Sequence, residues 1–218
     1  MAAAENSGRA AILQRIRTAL KTPAKASESH GDAATSAVEI FLPVGDPLER
    51  FRVECAGNKT EVIVTPDFAA SVAAAAAILA ELKAREVFVQ DAPKLRAAAP
   101  QLGMERSVRW SCDGGPLEMT DVTVTMAELL VAQTGSILIS SACGGRGATV
   151  VAPVHIVLAG IEQLVPDLET ALARAYGPAS RNSYLSLITG SSRTADIEKI
   201  LVMGAHGPKR LIVILSQS

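Results

Sequence analysis

Residues 211–215, LIVIL, form an unbroken run of large aliphatic side chains. A strand with one wet face alternates apolar and polar residues. A run without alternation marks a strand covered on both faces, as inner strands of a parallel sheet are. That requires layers on both sides, hence an α/β fold. The residues ahead of the run read as a crossover into it. Ser186, Leu187 and Ile188 make a short apolar strand, and residues 189–192 a turn rich in hydroxyls. Thr194 reads as an N-cap, followed by Asp196 and Glu198 where the helix dipole favours acids. Ile197, Ile200 and Leu201 share one helical face, Gly204 ends the helix, and Pro208 prevents its return. Residues 186–215 are therefore expected to be a βαβ unit. Residues 189–194 should lie at the carboxyl edge of its sheet, where such sheets bind ligands.

The same alternation runs through most of the chain. Expected strands are residues 61–65 (EVIVT), 86–90 (EVFVQ), 107–110, 121–125, 135–141 (GSILISS) and 154–159 (VHIVLA). A helix should start at Asp46, a cap followed by Pro47 in the first turn and Glu49 in capping-box position, and should end at Gly57. Further helices are expected over the alanine-rich 66–83 and over 92–102, 126–132 and 162–176. The sheet should be mainly parallel, with at least five strands and 211–215 internal. Ahead of this domain, residues 9–21 put Ile12, Leu13, Ile16 and Leu20 on one helical face and Arg9, Arg15, Arg17 and Lys21 on the other. The apolar residues are few, so docking on its own domain or on a partner is favoured over a membrane surface. Residues 22–36 are small, polar and aperiodic, as in a linker. The expected division is an N-terminal helix and linker, 1–36, and an α/β domain, 37–218.

Composition removes several function classes. A formal charge of −1 gives no argument for nucleic acid. No apolar run approaches the roughly 20 residues of a membrane span. The start MAAAENSGRAA lacks an apolar signal core, so a cytoplasmic protein is expected. Cys55, Cys112 and Cys143 are scattered, without the spacing of a disulfide framework, structural zinc or cysteine-held cluster.

Three stretches could carry chemistry. Gly190, Ser192, Arg193 and Thr194 combine hydroxyls, a guanidinium and the free amides of a helix start, which suit a phosphate or carboxylate. The competing reading is a capped tight turn. In residues 142–149, Gly144, Gly145 and Gly147 allow close backbone approach and Arg146 can pair with an anion. This is neither a P-loop nor a dinucleotide fingerprint, and the competing reading is a plain glycine loop. His155 and His206 titrate near neutral pH and could serve as bases. His155 reads equally as a core histidine, and His206 as a turn residue at the opposite, amino-terminal edge. Two histidines without a carboxylate at ligand spacing make no metal site.

Residues 190–208, GSSRTADIEKILVMGAHGP, resemble the signature of the lactate utilisation protein C family, the LUD-domain proteins. That pattern is close to G-[PS]-S-R-T-A-D-I-E, a short gap, then G-x-H-G-P. A second block is also similar, from Thr134-Gly135-Ser136 through Gly145-Arg146 to Pro153-Val154-His155. The resemblance covers about residues 120–215. It implies a three-layer sandwich of the NagB/RpiA/CoA-transferase-like kind. It also implies a role in oxidising L-lactate to pyruvate with iron–sulphur partner proteins, which would hold the clusters, with no cofactor on this chain. Many relatives carry an acid where this chain has Gln133; related coenzyme A transferases use a glutamate nucleophile. An amide cannot form that acyl intermediate, but it can orient a ligand. The expected ligand contacts are Gln133, Gly145, Arg146, Gly190, Ser192, Arg193, Thr194 and His206. Two other readings stand: a stand-alone enzyme or binding protein for an anion such as a coenzyme A ester, sugar phosphate or folate, and a non-catalytic assembly module.

Overall fold

The computed structural model describes residues 2–21, 44–102, 107–176, 182–195, 201–203 and 207–218. The chain divides into two units, Met1–Leu42 and Pro43–Ser218. The first contains helix α1 (Ala2–Leu20), which starts earlier than its apolar periodicity suggests. Ile12, Leu13 and Ile16 stand exposed on it. The expected linker lies outside the described residues.

The second unit begins with α2 (Pro47–Gly57), β1 (Thr60–Thr65), α3 (Phe68–Glu81), β2 (Glu86–Val89), α4 (Pro93–Ala97), α5 (Ala99–Leu102) and β3 (Ser107–Trp110). Asp46 caps α2 as expected: its Oδ1 accepts from the amides of Leu48 and Glu49 at 2.9 and 3.2 Å. The chain continues through β4 (Val122–Met126), β5 (Leu129–Val131), β6 (Ser136–Ser140), β7 (Val154–Gly160), β8 (Leu164–Val165) and α6 (Leu168–Ala175). It ends with β9 (Leu185–Ile188), β10 (Arg193–Ala195), β11 (Leu201–Met203) and β12 (Arg210–Ser216).

Six strands form one sheet in the order β1-β12-β7-β4-β2-β3, and every pairing in it is parallel. β12 is internal, with Val213 opposite Val62 on one side and Val157 on the other. Its alternate residues enter two different cores. Ile212 and Ile214 join Ile156, Leu158, Val122 and Val124 against α3, α4 and α5. The small side chains of α3, such as the fully buried Ala75, let that helix lie close to the sheet. Leu211, Val213 and Leu215 face the other way, with Phe88 and Val157, against α2 and a second sheet. Full burial of each such side chain stabilises the fold by about 1.5–3 kcal/mol. The parallel sheet is thus the middle layer of a three-layer α/β sandwich.

The second sheet runs β8-β5-β6-β9, with β6 antiparallel to both β5 and β9. One of its faces meets the parallel sheet; the other packs Leu129, Val131, Leu138 and Val165 against Ala171 of α6. Here several expectations fail. Residues 126–132, MAELLVA, are good helix formers, yet Leu129–Val131 is a strand because pairing with β6 and β8 overrides propensity. The helix expected over 162–176 starts only at Leu168, since Pro166 breaks a helix interior and Asp167 is the actual cap, accepting from the Thr170 amide at 2.7 Å. Most importantly, 186–215 is not a βαβ unit. β9 pairs with β6 rather than with the parallel sheet. Arg193–Ala195 and Leu201–Met203 pair antiparallel, with Ala195 opposite Leu201, so Thr194 lies in a strand and caps no helix. Asp196, Ile197, Glu198, Ile200 and Gly204 lie outside the described residues.

Candidate functional site

The site is built along the amino-terminal edge of the parallel sheet, where β1, β12 and β7 start side by side. The Lys209 amide donates to Pro153 O at 2.8 Å, which ties the entries of β12 and β7 together. The Gly207 amide donates to Val150 O at 2.8 Å, and the Ser192 amide to Pro208 O at 2.9 Å. Gly207 has φ +99°, and a Cβ there would meet the Ser192 side chain at 2.8 Å. A Cβ on Gly190, φ +82°, would lie 2.5 Å from the carbonyl oxygen of Asn58, just before β1. Loops 146–150, 190–192 and 207–209 therefore meet at one edge, but it is the amino edge, not the expected carboxyl edge. The carboxyl-edge rule describes loops that leave the strands of a parallel sheet, whereas loops 146–150 and 190–192 leave β6 and β9 of the second sheet and 207–209 leads into β12.

At this edge Arg146, Thr149, Val150, Tyr184, Leu185 and Ser186 line a cavity of about 290 Å³. Local chemistry explains its two walls. Ser140 Oγ accepts from the Ala142 amide at 3.2 Å and starts a short 3-10 turn, Ser141–Cys143. Gly144 and Gly145, at φ +100° and +98°, reverse the chain into a second one, Arg146–Thr149. Thr149 Oγ1 closes that turn on Arg146 O at 3.1 Å. The facing wall is fastened by two bonds to Ser141: its amide donates to Tyr184 O at 3.1 Å, and its Oγ accepts from the Ser183 amide at 3.1 Å. The Arg146 guanidinium sits 5.3 Å from the centre of the Tyr184 ring, within cation–π range. The Tyr184 hydroxyl lies 3.6 Å from Cys143 Sγ.

Burial raises the pKa of the Tyr184 phenol and of the Cys143 thiol, so both are neutral at pH 7. The charge of the cavity wall is thus that of Arg146. Among the described residues no carboxylate forms an ion pair with it. An exposed guanidinium on an aromatic ring beside a cavity, with no ion-paired carboxylate among the described residues, has the chemistry to receive an anion.

The structure scatters the other expected site residues. Gly145 supports the Arg146 turn. Ser192 is half-buried on the same edge, next to Gly207. Arg193 and Thr194 open β10, with only their backbone described, and His206 lies outside the described residues. Gln133 is half-buried, its amide donating to Pro166 O at 2.9 Å, at the far end of β6 from Arg146. Gly190 starts its stretch of the amino edge from Thr189, beside the start of β6. There Thr134, Ser136 and Thr189 link hydroxyl to hydroxyl at 2.7 and 2.6 Å, and Asn58 Nδ2 donates to Thr134 O at 3.0 Å. A Cβ on Gly135 would lie 2.8 Å from the Cys55 amide nitrogen of α2. This group joins β6, β9 and α2. His155 is a core residue, 1% exposed, with Nε2 2.8 Å from Thr125 Oγ1 and Nδ1 buried without a partner. Burial pushes its pKa down to about 4. Tyr184 and Ser186 are absent from the sequence-based set; the clue was Tyr184 itself, one of two tyrosines in the chain. Among the described residues no three His, Cys, Asp or Glu side chains are grouped to hold a metal ion, and no helix is long and apolar enough to cross a membrane.

Residues 116–216, which hold both walls of the cavity, match the family model of the LUD domain. Lactate utilization protein C of Deinococcus radiodurans is 28% identical over 101 residues, covering 45% of this chain and 48% of that protein. The Bacillus subtilis protein of the same name is 30% identical over 116 residues, 49% of this chain and 48% of that one. The chain thus spans about half the length of the curated relatives it matches. A solved DUF162 family protein from Deinococcus radiodurans superposes with TM-score 0.60 and 21% identity over 80% of this chain and 99% of that one, which shows a common fold. The matched stretch runs from the approach to β4 through β12, so it contains the whole second sheet and the central strands β4, β7 and β12.

Proposed function

We propose that this protein takes part in lactate utilisation, binding a small organic anion at Arg146 while iron–sulphur partner proteins carry the electrons of L-lactate oxidation to pyruvate. The observation that carries the reading is the coincidence of the Arg146 cavity with the stretch that matches the LUD family model, in a chain similar to relatives named lactate utilization protein C. That oxidation releases two electrons and two protons, which need an acceptor. The three cysteines of this chain offer no cluster site: Cys55 and Cys143 are buried, Cys112 is exposed, and none has a second cysteine close in sequence. The acceptor is therefore assigned to partners, and this chain to binding and orienting an anion. The test is growth of a deletion strain on L-lactate. Wild-type protein should restore growth and co-purify with iron–sulphur proteins, whereas Arg146→Gln should fold normally and fail to restore it. Normal growth of the deletion strain would remove the lactate role; full rescue by Arg146→Gln would remove the site.

A further inference from the structure

The Arg146 cavity carries more than a charge, and its shape and lining narrow the anion proposed above to one class. Arg146 is the one cation among its described lining residues, and one guanidinium matches one carboxylate. Beside the charge, Val150, Leu185 and the Tyr184 ring contribute apolar surface to the lining. Val150 is 45% exposed and its neighbour Val151 42%, side by side next to Arg146. Isolated exposed valines need no explanation, but one that lines a cavity beside Leu185 and a tyrosine ring does. Of the three hydroxyls, that of Thr149 already donates to Arg146 O and that of Tyr184 lies 3.6 Å from Cys143 Sγ. The volume, about 290 Å³, equals on the order of ten water molecules. A three-carbon hydroxy acid would fill a fraction of it and leave the apolar wall wet. A sugar phosphate or nucleotide would bring more charge than Arg146 neutralises, beside a phenol and a thiol that are both uncharged.

We infer that the cavity takes an organic monocarboxylate with an apolar body, an alkyl chain or ring several carbons larger than lactate. Its carboxylate lies on Arg146, and its body lies along Val150, Leu185 and Tyr184. This assignment rests on the anion-site reading of Arg146.

The test is isothermal titration of the full chain with hexanoate, phenylacetate, L-lactate, inorganic phosphate and glucose 6-phosphate. It is repeated on Arg146→Gln and Val150→Asn, each first shown to keep the wild-type melting temperature. Each buried methylene contributes about fourfold in affinity, so hexanoate or phenylacetate should bind roughly tenfold or more tighter than L-lactate. Arg146→Gln should abolish that binding. Val150→Asn, which is polar but uncharged, should weaken hexanoate about tenfold and change L-lactate by less than about twofold. If L-lactate, phosphate or glucose 6-phosphate binds tightest and Arg146→Gln abolishes it, the apolar-body inference is overturned while the anion site stands. Binding of the apolar acids that neither substitution changes overturns the inference by placing them elsewhere. If no probe binds, the inference and the anion site fall together.

Discussion

β12 and β9 are both rich in aliphatic residues, and they do opposite work. Every side chain from Leu211 to Leu215 is fully buried, with a strand on either side and a layer on either face. In β9, Leu185, Ser186 and Ile188 are half-buried and Leu187 is 43% exposed. The first strand has no freedom left and serves as scaffold. The second has one packed face, and its start, beside Tyr184, supplies Leu185 and Ser186 to the cavity. The candidate site sits on the incompletely buried sheet, held in place by the completely buried one.

The largest effect should separate the two strands directly. Ile212→Ala leaves a hole in the packed core and should cost about 2–5 kcal/mol of unfolding free energy, whereas Leu187→Ala should stay within about 0.5 kcal/mol. Equal effects in urea unfolding would erase the contrast. Next comes the point where the end of β9 meets the scaffold. Gly190→Ala forces a left-handed residue against the Asn58 carbonyl and should cost up to about 3 kcal/mol. An unchanged denaturation midpoint would mean that the loop sits elsewhere.

A pH experiment probes the layer between the sheets, which His155 faces together with Val157. The imidazole titrates near 6.5 in the unfolded chain and about 4 in the fold, where burial disfavours its charge. The fold holds the neutral ring, so this stability is complete above pH 6.5 and is lost as pH falls towards 4. Between pH 7 and 5 the loss should be about 2 kcal/mol, and His155→Gln should flatten the dependence. A slope identical in both proteins would place the ring in water. The smallest effect belongs to the edge strand β1. Arg210 donates to both carboxylate oxygens of Glu61, at 2.6 and 2.8 Å, and this hydrogen bonding lowers the Glu61 pKa. Both side chains are partly exposed, so Arg210→Ala should cost at most about 1 kcal/mol, and less in high salt.

Legibility in the sequence divides along the same line. The parallel sheet was readable because burial on both faces leaves unbroken apolar runs, and α2 because Asp46 and Pro47 mark its start. The second sheet was not, because its strands are short and their partners distant. Leu129–Val131 reads as helix from local propensity and becomes a strand through residues 136–138 and 164–165. Residues 193–203 carry a helical spacing of apolar side chains, yet both described ends pair as a hairpin. At the site, Arg146 stood out by its glycines and its charge. Tyr184 did not, because it joins Arg146 only after β6 and β9 pair antiparallel, with Ser140 opposite Leu185. The same pairing moved the site from the expected carboxyl edge to the amino edge.

A crystal structure of the full chain soaked with hexanoate would test that last placement most directly. A carboxylate within hydrogen-bond reach of the Arg146 guanidinium, with its chain along Val150 and Tyr184, is the predicted result. The ligand bound instead at the carboxyl edge, beside Thr65 and Gln90, with the Arg146 cavity holding only water, would contradict the account.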